Sequence, residues 1–203
     1  MVTSPLTQPL QVTELHTQLL RAVDAGRARA FILPRLEQLA ELAPKGSEAW
    51  QFAEQELAEM QLQQAPWRAA LHARRLALAC PRNDIGHALY ALAQMIQGNH
   101  RAAISSYRRA VSIRPQNPWY LHNLGHLLDV TQNAPREGLP YLRKAYTLLN
   151  TDIEIAASLI HCLAQTGDRT QALALLEHTH TQHLNVAGTS TASLTELRAW
   201  LNE

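Results

Sequence analysis

Apolar residues recur every three or four positions in short segments along most of the chain, with polar residues between them. In one such segment Leu121, Leu124 and Leu128 follow one another at this spacing. The spacing places apolar side chains on one face of an α-helix. Glycine or proline separates most of the segments, as at Gly98 and Pro115. The pattern therefore predicts a chain built of amphipathic helices.

The predicted helices come in pairs with a nearly constant period. The first helices of the pairs begin near residues 13, 47, 84, 118 and 153, so successive starts are 34, 37, 34 and 35 residues apart. A steady period of this length indicates stacked helical repeats. We expect pairs at residues 13–44, 47–81, 84–117, 118–150 and 153–180.

These pairs form one expected repeat domain, residues 12–183. Residues 1–11 contain two prolines and are expected to be a flexible lead-in. Residues 184–203 are expected to form a loop, within 185–191, followed by a capping helix that covers the open end of the stack.

Two prolines lie inside the apolar pattern of predicted second helices. Proline lacks the backbone N–H and is tolerated best in the first helical turn. We therefore expect one helix to start near Pro34, and the helix that contains Pro140 to start at about Gly138.

The segment of residues 84–117 resembles a tetratricopeptide repeat. Its second half carries Ala103, Tyr107, Ala110 and Pro115 at the positions that are typical of the second helix of such a repeat. In that family small alanines let two helices approach closely, and a proline ends the second helix.

The next segment, residues 117–125, resembles the opening NPxxWxNLG of the same family, with Leu121 where tryptophan is usual. Gly125 and Gly138 stand at small-residue positions of this unit. The resemblance implies an all-α fold, a right-handed superhelix (solenoid) of about five helix pairs with a C-terminal capping helix. In such a fold the first helices line a concave groove, which is the usual binding surface.

The expected partner-binding residues lie on the groove-facing side of the first helices. In the helix of residues 118–130, this side is opposite the leucine stripe and combines a tryptophan with polar residues. Asn123 matches the asparagine with which the family contacts the backbone of a bound peptide. The full expected set is Phe52, Ile85, Leu89, Leu92, Met95, Ile96, Trp119, His122, Asn123, His126, Asp129, Glu154, Ser158 and His161.

The helix of residues 84–97 is apolar on nearly all sides, which exceeds what a helix with one buried face requires. Two explanations are open. Another element, such as the N-terminal arm, covers the second face, or that face is an apolar patch for a partner or a second copy of the chain.

Charge and cysteine content narrow the class of partner and the compartment. The net charge is +1, so no overall field attracts nucleic acid or a membrane surface. The expected groove is apolar and mildly acidic, which favours a protein segment with apolar anchors that is neutral or basic.

Two cysteines far apart in the sequence do not indicate a disulfide framework. With no recognisable signal peptide or membrane span, we expect a cytoplasmic protein.

No pattern indicates catalysis, because glycine-rich phosphate loops and GxSxG are absent from the sequence. We expect neither enzyme activity nor a cofactor.

His122 and His126 are four residues apart, a spacing that can place two imidazoles on one metal ion, and His178, His180 and His183 form a second cluster. Neither cluster has a Cys pair or an HExxH motif to support it, so we expect no metal. Groove histidines could instead make binding sensitive to pH.

The sequence thus predicts a protein-binding adaptor, scaffold or chaperone-like module. One alternative is the substrate-presenting repeat region of a larger enzyme system. Another is nucleic-acid binding along a basic ridge, which the pairs Arg74–Arg75, Arg108–Arg109 and Arg143–Lys144 would form on successive second helices. The ridge lacks interleaved aromatic residues, so we expect it to be a solvated outer face.

Overall fold

The structure, a computed structural model, describes residues 7–183 and 192–202. Within these residues the chain forms eleven α-helices, and the predicted all-α fold of helix pairs is confirmed. The helices are α1 Thr7–Asp24, α2 Arg29–Leu42, α3 Glu48–Gln61, α4 Pro66–Ala79, α5 Asp84–Ile96, α6 His100–Ile113, α7 Pro118–Val130, α8 Pro135–Leu148, α9 Ile153–Gln165, α10 Arg169–His183 and α11 Ala192–Asn202.

Side-chain caps fix where the first helices of four pairs begin. Ser47, Asn83, Asn117 and Asp152 each precede such a helix, and each side-chain oxygen accepts a hydrogen bond from a backbone N–H two or three residues further on. These bonds satisfy amide groups that have no partner inside the helix. Asn117 therefore sets where α7 begins, and with it the direction in which each side chain of α7 points.

Glycine ends the first helices of two pairs. Gly98 and Gly167 have φ angles of +76° and +93°, a region that residues with a Cβ rarely adopt. Their own amides and those of Asn99 and Asp168 bond back to carbonyls of the last helical turn. These tight ends let the second helix of each pair begin within a few residues.

The chain divides into two compact units, Met1–Ile113 and Arg114–Glu203. In the first unit, one apolar core joins α1 to α4 and includes Leu36, Leu39, Trp50 and Leu57. A second core joins α3, α4 and α5 through small alanines such as Ala69.

In the second unit, the leucine stripe of α7 is buried, as the periodicity predicts. A further core joins α8, α9, α10 and α11 and includes Leu142, Leu159, Leu163 and Leu176. From α11, the side chain of Leu201 is almost fully buried in this core. Within residues 7–183 and 192–202, no helix is both long enough and apolar enough to span a bilayer.

Three predicted helix starts are wrong. α1 begins at Thr7, so residues 7–11 are helical rather than part of a lead-in, because Pro9 falls in the first turn, where its missing N–H breaks no bond. Pro34 and Pro140 lie inside α2 and α8, each as the sixth residue. The carbonyl that each proline leaves unpaired belongs to an exposed residue near the helix start, where water can satisfy it. Residues 1–6 of the predicted lead-in and the predicted loop at 185–191 lie outside the described residues.

Candidate functional site

Three polar side chains of the second unit connect α7 to α9. The Nε2 atom of His122 lies 2.9 Å from the hydroxyl oxygen of Ser158, and the Nδ1 atom of His126 lies 3.3 Å from the same oxygen. The two imidazole rings are one helical turn apart, with centroids separated by 5.9 Å. A hydroxyl has one proton, so Ser158 donates to one imidazole and accepts from the other. Both hydrogen bonds to Ser158 can form at the same time when the two histidines are neutral.

The environment of the two histidines favours their neutral form. Burial lowers the pKa of His122, and the neighbouring His126 lowers it further, against the opposing effects of Asp152 and of a hydrogen bond with Asn123. Burial also lowers the pKa of His126, while Asp129 and Glu154 act in the opposite direction. Desolvation penalises the charged imidazole, and here it outweighs the nearby carboxylates.

A second chain of contacts runs from α7 through α9 to α11. The Nδ1–H of His161 donates to Oδ2 of Asp129 at 2.7 Å, and the Asp129 side chain is 2% exposed. The His161 ring stacks on Trp200, with centroids 5.2 Å apart and an angle of 21° between the planes. Asp129 therefore fixes the orientation of an imidazole whose face supports an aromatic side chain of the last helix.

Four of these side chains border a cavity of about 410 Å³ among α7, α9 and α11, namely His126, Ser158, His161 and Trp200. Its apolar lining comes from Val130, Ala157, Leu197 and Trp200. Its polar lining comes from His126, Ser158, His161 and Glu196. We call this space the α7–α9–α11 cavity. A concave space with mostly apolar walls and a few convergent polar groups is suited to holding an apolar side chain of a ligand.

The remaining predicted residues of this unit are not part of the cavity lining. Trp119 is 45% exposed and its ring meets His122 edge to face, with centroids 6.5 Å apart. Asn123 is half-buried and Glu154 is exposed. His122 and Asp129 are buried, so they position neighbouring side chains and do not present a surface to a partner.

The predicted residues of the first unit are mostly packed against its own helices. Leu89 is buried, and Ile85 and Leu92 pack beside it against alanines of α3 and α4. Leu89 therefore presents little surface to a partner. The apolar second face of α5 is covered largely by the preceding helix pair, and Ile96, which is 42% exposed, remains at its end.

Two other predicted groove residues of this unit are half-buried. Phe52 packs on the core of α1 to α4 and contacts the ring of His16, with centroids 5.0 Å apart. Met95 is also half-buried.

The arginines of the predicted basic ridge make contacts within their own units. Arg75 lies 3.1 Å from the carboxylate of Glu54, which is fully buried. Arg109 donates to the carbonyl of Pro81, and Arg143 lies 4.0 Å from the carboxylate of Asp168. Engaged guanidinium groups are less available to phosphates.

The two cysteines and the histidines offer little reactive chemistry. Both thiols are free, and Cys162 is buried with its pKa raised to about 12, chiefly by desolvation and then by Asp129. Burial also raises the pKa of Cys80. A thiol with a raised pKa is a poor nucleophile at neutral pH. Across the part of the chain that the structure describes, no three or more His, Cys, Asp or Glu side chains are placed to hold a metal ion together.

The contribution of α11 to the site was not predicted. The sequence indicates a capping helix after residue 184, but its pattern gives no sign that Leu197 and Trp200 line a cavity with α7 and α9. The available signal was a tryptophan near a helix end, which alone does not identify the surface that it covers.

Comparison with known proteins shows which known fold this chain resembles. A family model described as TPR repeat matches residues 86–128, which run from the first turn of α5 to the last turn of α7. No curated protein matches the chain in sequence.

Solved structures are similar over most of the chain. MamA (residues 41 to the end) from Desulfovibrio magneticus RS-1 has a TM-score of 0.73 at 14% identity, covering 87% of this chain and 97% of its own. TTC0263, a thermophilic TPR protein in Thermus thermophilus, has a TM-score of 0.62 at 18% identity, covering 95% and 100%. YrrB, described as a TPR protein with an unusual peptide-binding site, has a TM-score of 0.67 at 17% identity, covering 82% and 84%. At these identities the likeness concerns the fold.

Proposed function

We propose that this chain, which has the fold of tetratricopeptide-repeat proteins and matches their family model over residues 86–128, is a non-enzymatic module that binds a segment of a partner protein in its second unit. The observation that carries the proposal is the α7–α9–α11 cavity, with Trp200 held against His161 at its edge. Exposed aromatic side chains beside an apolar recess are typical of protein contact sites. The description of YrrB as having a peptide-binding site gives the same use to this fold in another protein.

The chemistry of the cavity suggests the kind of segment that it takes. Val130, Ala157 and Leu197 offer an apolar space for one side chain of the partner. Glu154 and Glu196 supply negative charge nearby, whereas the carboxylate of Asp129 is already engaged by His161. A segment with an apolar anchor and a neutral or basic flank fits these walls better than an acidic one.

Two residues of α7 are proposed to extend this site. Trp119 is exposed beside His122, so it can cover an apolar part of the bound segment. Asn123 carries an amide that both donates and accepts, which suits the main chain of an extended peptide. The free thiols Cys80 and Cys162 fit a reducing compartment such as the cytoplasm.

A peptide-selection experiment tests the proposal. Random peptides displayed on phage are selected on the wild-type protein, and the selected peptides are then measured by fluorescence polarisation. The test variant is Val130→Lys, which places a charge in the cavity at a residue that is 54% exposed. The control is Leu78→Lys, the same kind of exchange at a residue that is 68% exposed in the first unit.

We expect Val130→Lys to weaken binding of the selected peptides about tenfold or more, because an apolar anchor would have to share its pocket with an ammonium group. Leu78→Lys should bind them as the wild type does. Selected peptides that bind Val130→Lys with unchanged affinity would contradict the proposed site. Peptides rich in Asp and Glu would contradict the proposed partner chemistry.

A further inference from the structure

A second cavity, of about 700 Å³, lies in the first unit between α1 and α2. Leu19 and Ala22, both buried, form its apolar floor. Arg21, Arg27 and Arg35 lie around it. We call it the arginine cavity. It involves both helices of the first pair, and it shares no residue with the α7–α9–α11 cavity.

The guanidinium groups of the arginine cavity are largely available to a ligand. Arg21 and Arg27 are exposed, and among the described residues their side chains have neither a hydrogen bond nor an ion pair. Arg35 uses one N–H to donate to the carbonyl of Phe31 at 2.8 Å. A guanidinium has five N–H groups, so most of those on Arg35 are still free to donate.

Phe31 gives the cavity an ordered apolar surface. Its side chain is 44% exposed, and the guanidinium carbon of Arg35 lies 3.7 Å from the ring centroid. This stacking, together with the hydrogen bond to the Phe31 carbonyl, holds Arg35 and Phe31 in a fixed relation. A ligand therefore meets a positioned guanidinium beside an exposed aromatic ring.

We propose that the arginine cavity binds an acidic segment of a partner protein. Carboxylates of the segment pair with Arg21, Arg27 and Arg35, because the planar guanidinium matches a carboxylate with two parallel hydrogen bonds. An apolar side chain of the segment packs against Phe31. This site is additional to the proposed function and takes the opposite charge, so the two sites would bind different segments.

The surroundings favour a short acidic segment over a nucleic acid. Residues 1–63 contain five Lys and Arg against eight Asp and Glu, and three of those five cations lie at this cavity. Affinity for nucleic acid depends on many phosphate contacts along a basic track and on a series of stacking aromatics. Here the positive charge is local, Glu14 is close by through its hydrogen bond with Gln18, and Phe31 is the one aromatic residue in the lining.

The test uses a fluorescein-labelled peptide of alternating glutamate and leucine, measured by fluorescence polarisation at low salt against the full chain. A peptide of alternating glutamine and leucine is the uncharged comparison. The test variant is Arg21→Gln/Arg27→Gln. Its matched control is Arg82→Gln/Arg101→Gln, which removes the same charge from exposed positions of the same unit outside the cavity.

We expect the glutamate peptide to bind the wild type and the control variant equally, and to bind Arg21→Gln/Arg27→Gln about tenfold more weakly. Phe31→Ala should weaken binding as well, and the glutamine peptide should bind poorly throughout. Val130→Lys, in the other unit, should leave this binding unchanged, so that the two sites can fail independently. Circular dichroism checks that each variant is folded.

Three results would overturn the proposal. The first is equal loss of binding in the two double variants, which would indicate general charge attraction. The second is equal binding of the glutamine peptide, which would remove any role for carboxylates. The third is displacement of the glutamate peptide by oligothymidine at lower concentrations than by unlabelled glutamate peptide, which would identify a nucleic-acid site instead.

Discussion

Gly125 and Gly138 lie face to face where α7 and α8 cross, and neither position has room for a side chain. A Cβ atom on Gly138 would lie 2.5 Å from the carbonyl oxygen of Gly125. A Cβ atom on Gly125 would lie 2.7 Å from Cγ of Leu142 and 3.0 Å from the carbonyl oxygen of Gly138. The two backbones are therefore in direct contact, and this contact sets how close α7, with its site residues, lies to α8.

Gly138→Ala should destabilise the protein, although alanine is the better helix former. The propensity gain of about 1 kcal/mol is opposed by overpacking, which typically costs about 1–3 kcal/mol. We expect the upper part of that range, because the clash is with backbone that moves only if a whole helix shifts. The net loss should be about 1–2 kcal/mol in urea unfolding. The control is Lys144→Ala, at an exposed position of α8, which should change stability little. A higher unfolding midpoint for Gly138→Ala would contradict the close crossing.

The sequence was sufficient to predict the helix pairs, because each repeat is a local unit whose period and small residues can be recognised in the amino-acid sequence. Gly125 and Gly138 are the clearest case, since their family positions predicted the close crossing that the structure contains. The predicted helix starts at Pro34 and Gly138 failed for a local reason. The cost of a proline depends on whether the carbonyl that it leaves unpaired can reach water, which the sequence does not give.

The candidate site was predictable only in part. Helical periodicity placed His126, Ser158 and His161 on helix faces that meet in the structure, because it fixes the direction of each side chain within its own helix. It could not show that Leu89 is covered by the preceding helix pair or that Trp200 stacks on His161. Those contacts depend on how separate helices pack, and such packing is set by side chains far apart in the sequence.

Glu54 should be important for the stability of the first unit. It is fully buried between α3 and α4, where His72 donates to Oε2 at 2.8 Å and Arg75 lies 3.1 Å from Oε1. Glu54→Gln keeps the shape but removes the charge that both partners face, so we expect a loss of about 1–3 kcal/mol in the free energy of unfolding. Glu37→Gln, at an exposed position of α2, serves as the control and should have little effect. Equal stability of the two variants would mean that the buried carboxylate contributes nothing net.

Thr179 should be replaceable with a gain in stability. It is fully buried, and its hydroxyl oxygen has no hydrogen-bond partner among the described residues. Thr179→Val keeps the shape and removes the unsatisfied group, so we expect a gain of about 1 kcal/mol in thermal or urea unfolding. Thr181→Val is the matched control, because the exposed Thr181 hydroxyl donates to the carbonyl of Glu177. A loss of stability in Thr179→Val would indicate that the hydroxyl is satisfied, for example by a buried water.

Stability should fall with acidification because of His122 and His126. Burial lowers the pKa of both side chains in the folded state, whereas in the unfolded chain their pKa is about 6.5. Between the lowered pKa and about 6.5 the unfolded state binds more protons, so the free energy of unfolding decreases as pH falls through this window. Below the lowered pKa both states are protonated, and this contribution no longer changes.

The variant His122→Gln/His126→Gln removes this pH dependence and should give a flatter profile of urea midpoints between about pH 7.5 and 5.5. The comparison is made on the slope of the profile, because the substitutions also change absolute stability through the hydrogen bonds to Ser158. His178→Gln, at an exposed position of α10, is the control and should retain the wild-type slope. If the double variant and the control have the same slope, protonation of the buried pair does not govern the acid sensitivity of the second unit.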